Sequence, residues 1–178
     1  MKEIEVKILE IDTKEFEIKL LNKGAILIFD DIIEGVYLNF PDFYSDKENK
    51  TLRIRKEGSE TFLTMKEAVY PITNYKIREE IETKVEDFEA ILNIFQRLGF
   101  SERIHIKKHR KTYELNNEAK FVIDTHLEDY DFIPPFVEIE VNKEELLDKY
   151  LNIVEIPKIK TVNYNVFEVI EYYKQKLG

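Results

Sequence analysis

The chain has 178 residues, of which 43% are hydrophobic, so it can bury a core, and we expect a single domain spanning residues 1–178. Its formal net charge of −9 argues against nucleic-acid binding, because no basic excess is available to face phosphates. The absence of cysteine excludes disulfides, thiolate metal sites and a cysteine nucleophile.

The N-terminal segment is charged from Lys2 and lacks the apolar stretch of a signal peptide. No apolar run in the chain approaches the roughly 20 residues that a membrane helix needs. We therefore expect a cytoplasmic protein that binds neither a membrane nor nucleic acid. Both a monomer and a homodimer are compatible with the sequence.

Alternation of apolar and polar residues predicts eight strands. In chain order they are 2–9, 26–40, 50–57, 60–67, 75–85, 103–115, 120–127 and 136–141. Amphipathic stretches predict four helices, three of which directly follow strands 1, 5 and 8: 12–23, 87–98, 142–154 and 165–177. Short polar connections between neighbouring strands favour hairpins, and hence an antiparallel α+β fold.

The first predicted strand raises the question of where its charges point. Positions 4, 6 and 8 are apolar, whereas Glu3, Glu5 and Lys7 share the opposite face. A strand with one face in water would show the same pattern, so this strand alone does not decide. The tripeptide EIE recurs at 80–82 and 138–140, each time on a predicted strand that leads into a helix.

Later strands repeat this pattern, with charges at alternate positions on one face. The cations in these positions are Lys7, Arg53, Arg55, Lys66, Arg78, Lys108 and Arg110. The acids are Glu3, Glu5, Glu80, Glu82, Asp124, Glu138 and Glu140. If the sheet closes into a barrel, these side chains face an interior wide enough for side chains or one small ligand. Charges buried there are costly unless they are paired or bind ions.

The residue types indicate which ligand such an interior would bind. Converging arginines and lysines suit a polyanion, and arginine matches phosphate geometry with two hydrogen bonds. Clustered carboxylates suit a hard divalent cation such as Mg²⁺ or Mn²⁺. A metal-bound polyphosphate meets both conditions. The glycine-rich phosphate motifs GxxxxGK[ST] and GxGxxG are absent, which excludes a P-loop or Rossmann site.

Seven motifs, in order along the chain, resemble the CYTH superfamily, the triphosphate tunnel metalloenzymes. EIEVK at 3–7 is similar to the ExExK signature of that family. The other motifs are LRIR at 52–55, LTMK at 63–66, REEIE at 78–82, IKKHR at 106–110, VID at 122–124 and FVEIE at 136–140. The resemblance implies a closed eight-stranded antiparallel β-barrel that forms a tunnel, with helices packed outside.

The resemblance also implies roles for the charged residues. The metal would be bound, directly or through water, by Glu3, Glu5, Glu138 and Glu140. Asp124 and either Glu80 or Glu82 would assist them. The triphosphate would be bound, and its reaction catalysed, by Lys7, Arg53, Arg55, Lys66, Arg78, Lys108 and Arg110.

A small-molecule triphosphate substrate and Mg²⁺ or Mn²⁺ follow from the same resemblance, whereas the reaction stays open. Attack of water would make the protein a triphosphatase acting on inorganic tripolyphosphate, thiamine triphosphate or a nucleoside triphosphate. Attack of a ribose 3′-hydroxyl would make it a class IV adenylyl cyclase that forms cyclic AMP and pyrophosphate. We favour hydrolysis, because it demands less of the site. A non-catalytic polyphosphate- or nucleotide-binding module is a third hypothesis, which the complete charge set disfavours.

Histidines, aromatic residues and two lysines lie outside the charged set, and several of them have two interpretations. His105 and His109 are expected on the outer surface, whereas His126 shares the face of residue 124 and is either structural or at the tunnel mouth. Three aromatic residues around a proline-containing loop could stack on a head group or pack the loop: Phe40, Phe43 and Tyr44. One of two lysines near the C-terminus could close the tunnel mouth: Lys158 or Lys160.

Overall fold

The computed structural model describes residues 2–44, 49–68 and 76–177. Its strands are β1 (Lys2–Ile8), β2 (Ile26–Asn39), β3 (Lys50–Glu57), β4 (Glu60–Ala68), β5 (Lys76–Val85), β6 (Ser101–Leu115), β7 (Ala119–His126) and β8 (Phe136–Val141). Its α-helices are α1 (Thr13–Asn22), α2 (Phe88–Arg97), α3 (Glu144–Ile153) and α4 (Val166–Leu177). Among the described residues, no helix has both the length and the hydrophobicity to cross a membrane.

The strands form a closed antiparallel barrel in the order β1-β5-β4-β3-β2-β6-β7-β8. Strands that follow one another in sequence pair from β2 to β5 and from β6 to β8. Three pairings between distant segments close the sheet: β1 with β5, β1 with β8 and β2 with β6. The predicted α+β barrel with external helices is confirmed. The start of the fifth predicted strand, at residue 75, lies outside the described residues.

The largest apolar core lies outside the barrel wall, under α1 and α3. It consists of the outward-facing residues of β1, β6, β7 and β8 and of buried helix residues such as Phe16 and Leu147. Asp12 caps the N-terminus of helix α1, and its side chain accepts hydrogen bonds from the backbone N–H groups of Lys14 and Glu15. The apolar positions of the alternating strands thus bury themselves outward and leave the charged positions facing inward.

A second core lies between α2 and the outer faces of β2 and β3, where Ile54 and Phe88 are buried. Phe40 belongs to this core, with ring centroids 5.4 Å from Phe100 and 5.0 Å from Tyr44. Phe43 is 83% exposed. Packing is therefore the role of Phe40, whereas Phe43 is largely exposed.

Helix α4 packs at the end of the barrel where β1 finishes. Its residues Val169 and Tyr173 form a third apolar cluster with Phe136, which lies at the start of β8. The connection to α4 is attached to β1 by two backbone hydrogen bonds between Lys7 and Val162, of 2.8 and 2.9 Å. These contacts fix the start of α4 beside the barrel interior.

Candidate active site in the barrel interior

A cavity of about 880 Å³ extends through the barrel, from the β6–β7 turn at one end to the start of α4 at the other. Thirteen of the fourteen charged residues predicted to face inward line it. Asp124 is the exception, because its carboxylate is fully buried behind the cavity surface. A volume of this size is within the range of small-molecule binding sites.

The strand register places charged side chains next to one another on the inner wall, in one pair of opposite charge and one pair of like charge. On β1 and β8, Lys7 is paired with Glu138 and Glu5 with Glu140. Because paired residues of antiparallel strands point to the same face, these four side chains converge in the interior. The local alternation of each strand and the register between strands are both needed to produce this arrangement.

Three carboxylates form a cluster that can hold a metal ion. One oxygen from each of Glu3, Glu5 and Glu140 lies within 4.8 Å of the others. Burial, followed by the charges of Glu3 and Glu138, raises the pKa of Glu140 to about 7. Three converging hard oxygen donors, with excess negative charge around Glu140, are the chemistry that Mg²⁺ or Mn²⁺ requires. The predicted metal set is thus brought together in part.

The remaining predicted metal ligands contact cations. Glu138 lies 3.0 Å from Lys7 and 3.6 Å from Arg110. Glu80 lies 3.2 Å from Lys66, and the Nη2 atom of Arg55 donates a 3.1 Å hydrogen bond to Glu82. Their role toward a metal stays a prediction.

Lys7 and Lys66 bridge pairs of carboxylates. Lys7 is buried, 3.3 Å from Glu5 and 3.0 Å from Glu138, and these two charges raise its pKa in spite of burial. Lys66 lies 2.9 Å from Glu3, which belongs to the metal cluster. Because Lys66 pairs with a candidate metal ligand, a metal ion at this cluster would compete with an existing contact.

Two further arginines of the lining are also paired. Arg55 lies 2.7 Å from Glu57 as well as next to Glu82, while burial and the nearby charge of Arg53 lower its pKa to about 10. Arg78 lies 3.9 Å from Glu5. The cavity thus contains charges that largely satisfy one another without a ligand.

The buried carboxylate of Asp124 contacts two cations of the cavity wall, Lys108 and Arg110. Arg110 donates two hydrogen bonds of 2.7 Å to its carboxylate, and Lys108 also donates to it. Burial alone would raise the pKa of Asp124, but Arg110 and Lys108 outweigh it and hold the pKa well below its usual range. In this structure Asp124 orients cations of the cavity wall, and its predicted contribution to a metal site stays a prediction.

Arg53 differs from these cations. In the described part of the chain it has no carboxylate within ion-pair distance, and its guanidinium lies 3.5 Å from the Tyr37 hydroxyl. Burial would raise the pKa of Tyr37, yet the charges of Arg53 and Lys108 prevail and lower it. Arg53 is thus the lining cation best prepared to bind an incoming anion.

Comparison with known proteins shows the family of the chain. The sequence pattern of the CYTH domain matches residues 1–163. The chain belongs to the CYTH family. A protein of Methanocaldococcus jannaschii, which is named provisionally as an adenylate cyclase, is 31% identical over 170 residues, or 92% of this chain and 93% of that relative.

Solved structures share this CYTH fold. A conserved hypothetical protein from Pyrococcus furiosus has a TM-score of 0.78 and 26% identity, covering 94% of this chain and 99% of that one. A Hippeastrum protein, described as an adenylyl cyclase candidate with a dominant triphosphatase activity, has a TM-score of 0.62 and 14% identity. It covers 96% of this chain and 95% of that protein, and at such low identity it shows the fold alone.

The lining of this CYTH barrel includes residues that the charge pattern did not predict. Among them are Tyr37, Glu57, Glu114, Lys120 and, left open above, His126. Glu57 continues the face of Arg53 and Arg55, and Glu114 continues that of Arg110, so extending each alternation would have found them. Tyr37 gave no such signal, because the inward face of β2 carries no alternating charge.

Other predicted residues lie outside the CYTH cavity. His105 and His109 are on the outer wall, 2.9 Å from Glu34 and 2.7 Å from Asp30, as expected from their strand positions. Lys158 forms an exposed 2.9 Å ion pair with Asp148. Lys160 is exposed, and neither lysine is among the residues that line the cavity, so a role at the tunnel mouth stays a prediction.

Proposed function

We propose that this CYTH protein is a divalent-metal-dependent triphosphatase that binds a small-molecule triphosphate in its barrel. The observation that carries this proposal is the position of the Glu3–Glu5–Glu140 cluster on the wall of a cavity that arginine and lysine side chains also line. A metal-bound polyphosphate needs carboxylates for the metal and cations for the phosphates, and both are within one volume.

The arginines and lysines would bind and orient the phosphates. Arg53 can engage an anion without first losing an ion pair, whereas Lys7 and Lys66 would exchange carboxylate oxygens for phosphate oxygens. Phosphoryl transfer is catalysed mainly by positioning and by stabilising charge, so the site needs no serine or cysteine nucleophile.

The carboxylate cluster would hold Mg²⁺ or Mn²⁺. When bound there, the ion would supply charge neutralisation at the phosphate oxygens and orientation for the attacking water. As Lys66 turns to the phosphates, it would free Glu3 for this task. Lys108 and Arg110, held by Asp124, would keep a fixed place for the phosphate chain.

Adenylyl cyclase activity is the second candidate, favoured by the name of the Methanocaldococcus jannaschii relative. That reaction needs a site that recognises adenosine and places its 3′-hydroxyl against the α-phosphorus. The activity described for the Hippeastrum protein supports hydrolysis as a reaction of this fold. Hydrolysis also requires less of the cavity than cyclisation does.

Product analysis tests the proposal. The purified protein would be incubated with Mg²⁺ or Mn²⁺ and, separately, with tripolyphosphate, thiamine triphosphate and ATP, and the products resolved by ion-exchange chromatography. We expect orthophosphate, and the preferred substrate identifies the head group. Cyclic AMP with pyrophosphate from ATP would instead establish the cyclase, and absence of turnover despite triphosphate binding would establish a binding module.

Matched variants connect the activity with the barrel interior. Glu140→Gln removes one charge from the metal cluster and should lower turnover at least about 100-fold. Glu79→Gln is the control, because Glu79 is exposed on β5, one residue away from the inward-facing Glu80. Equal loss in both variants, or none in Glu140→Gln, would contradict the assignment.

A further inference from the structure

His126 is a buried histidine without hydrogen bonds at the α4 end of the cavity. Its residual exposure is 3%, and it lines the cavity together with Phe136 and Val166. Within the described ranges, neither its Nδ1 nor its Nε2 atom has a hydrogen-bond partner. Buried polar groups are nearly always hydrogen-bonded, and an exception of this kind requires an explanation.

Packing alone does not require a histidine here. The imidazole stacks on the ring of Phe136, with centroids 5.6 Å apart and planes 28° apart. An apolar ring of similar size would retain that contact without leaving two buried nitrogens unsatisfied. Since a histidine carries this cost, a hydrogen-bonding partner that enters the cavity is the physical explanation.

The charges around His126 indicate the partner. Lys108 and Arg110 of β6, Asp124 of β7 and Glu138 of β8 all act on it electrostatically. In either protonation state the imidazole presents at least one N–H donor, and the two cations on β6 make an anion the favoured acceptor.

We propose that His126 is a substrate-binding residue whose N–H donates a hydrogen bond to an oxygen of the phosphate group at the α4 end of the cavity. This inference rests on the proposed function, because it requires a triphosphate in the barrel. Because neither ring nitrogen has a partner among the described residues, His126 can donate to a phosphate oxygen without first releasing a carboxylate. That distinguishes His126 from Lys7 and Lys66, which hold carboxylates.

The test compares binding with stability in His126→Phe and His126→Leu. Affinity for inorganic tripolyphosphate would be measured by titration calorimetry without metal, KM with Mg²⁺ by phosphate release, and stability by thermal melting. We expect affinity to fall about 10- to 100-fold and KM to rise similarly, since a hydrogen bond to a charged group is lost. The melting temperature of at least one variant should be equal to or above that of the wild type, because an unsatisfied polar group is removed.

His105→Asn is the control, because His105 is exposed on the outer wall. This variant should leave the tripolyphosphate affinity, the KM and the melting temperature unchanged. Wild-type affinity in His126→Phe or His126→Leu, or weaker binding only together with clear destabilisation in both, would show a packing role and overturn the inference. A wild-type protein that neither binds nor hydrolyses tripolyphosphate would refute the inorganic-triphosphate substrate itself. Failure of the His126 inference can therefore be distinguished from failure of the proposed substrate.

Discussion

Asp124 is fully buried and accepts hydrogen bonds from both Lys108 and Arg110. Removing one member of a buried ion pair leaves its partners charged and uncompensated, which costs more than the pair itself contributes. The position of this carboxylate, behind the cavity surface, could not be predicted from the sequence. The alternation of β7 gave its direction, but only the register with β6 shows that it faces two cations.

Asp124→Asn should lower the free energy of unfolding by about 3–5 kcal/mol at pH 7. The isosteric amide keeps the shape of the side chain, so the loss of stability reports on the missing charge. The free energy of unfolding is measured by urea unfolding, with circular dichroism as the signal. Asp129→Asn, at an exposed position, is the control and should change stability by less than about 0.5 kcal/mol. A loss below about 1 kcal/mol in Asp124→Asn would contradict the buried-pair description.

The same carboxylate predicts a pH dependence. Because the pKa of Asp124 is lowered on folding, its contribution to stability is complete above the unfolded value of about 3.9 and is lost as pH falls below it. The difference in unfolding free energy between wild type and Asp124→Asn should therefore be constant from pH 7 to about pH 5 and decrease in more acidic solution. A difference that grows on acidification would contradict this assignment.

Lys66→Met should change metal and substrate affinity in opposite directions. Lys66 lies 2.9 Å from Glu3, so removing its charge should strengthen Mn²⁺ binding to the Glu3–Glu5–Glu140 cluster about tenfold. Tripolyphosphate affinity should fall by about 10- to 100-fold, because a charged hydrogen-bond donor is lost. Calorimetric titration with each ligand alone measures both effects.

Lys111→Met is the matched control for that prediction. Lys111 is on the outer face of β6, where it pairs with Glu17 at 2.8 Å. Lys111→Met should leave the affinities for Mn²⁺ and for tripolyphosphate unchanged. A decrease of Mn²⁺ affinity in Lys66→Met would show that Lys66 supports the carboxylates rather than competing for them.

At the level of the elements, β2 contributes space instead of charge. A Cβ atom at Gly35 would lie 3.5 Å from the Cβ atom of Arg55 and 3.7 Å from the Cδ atom of Arg53. One added carbon is thus in ordinary contact, whereas a branched side chain would displace the arginines. The charge alternation predicted the inward faces of the other strands, but it contains no information on the uncharged stretch of β2 that carries Ile33, Gly35 and Tyr37.

Gly35→Val should raise KM for the triphosphate about tenfold with a smaller effect on turnover, because Arg53 would be displaced from its place beside Tyr37. Gly35→Ala should remain within about threefold of the wild type. Steady-state phosphate release at varied substrate concentration measures both variants. Similar kinetics in wild type and Gly35→Val would show that Arg53 has room to move without loss of binding.

At the level of the whole molecule, closure of the barrel determines which charges meet. Alternation predicted the strands and helices with small differences at their ends, because it is a local property. The pairings β1–β5, β1–β8 and β2–β6 join distant segments, and no local pattern specifies their register. For that reason the sequence indicated seven acids, while only the closed structure shows that Glu3, Glu5 and Glu140 converge.

The apolar cores lie outside or at one end of the barrel, and charged side chains surround the central cavity. Unfolding therefore exposes much polar surface along with the apolar surface, and the two change the heat capacity with opposite signs. We expect a heat-capacity increase on unfolding below the roughly 2.1–2.7 kcal/mol/K usual for 178 residues, measured by scanning calorimetry at several pH values. A smaller increase gives a flatter stability curve, so this protein would keep its fold over a wide range of temperature; an increase within the usual range would contradict that expectation.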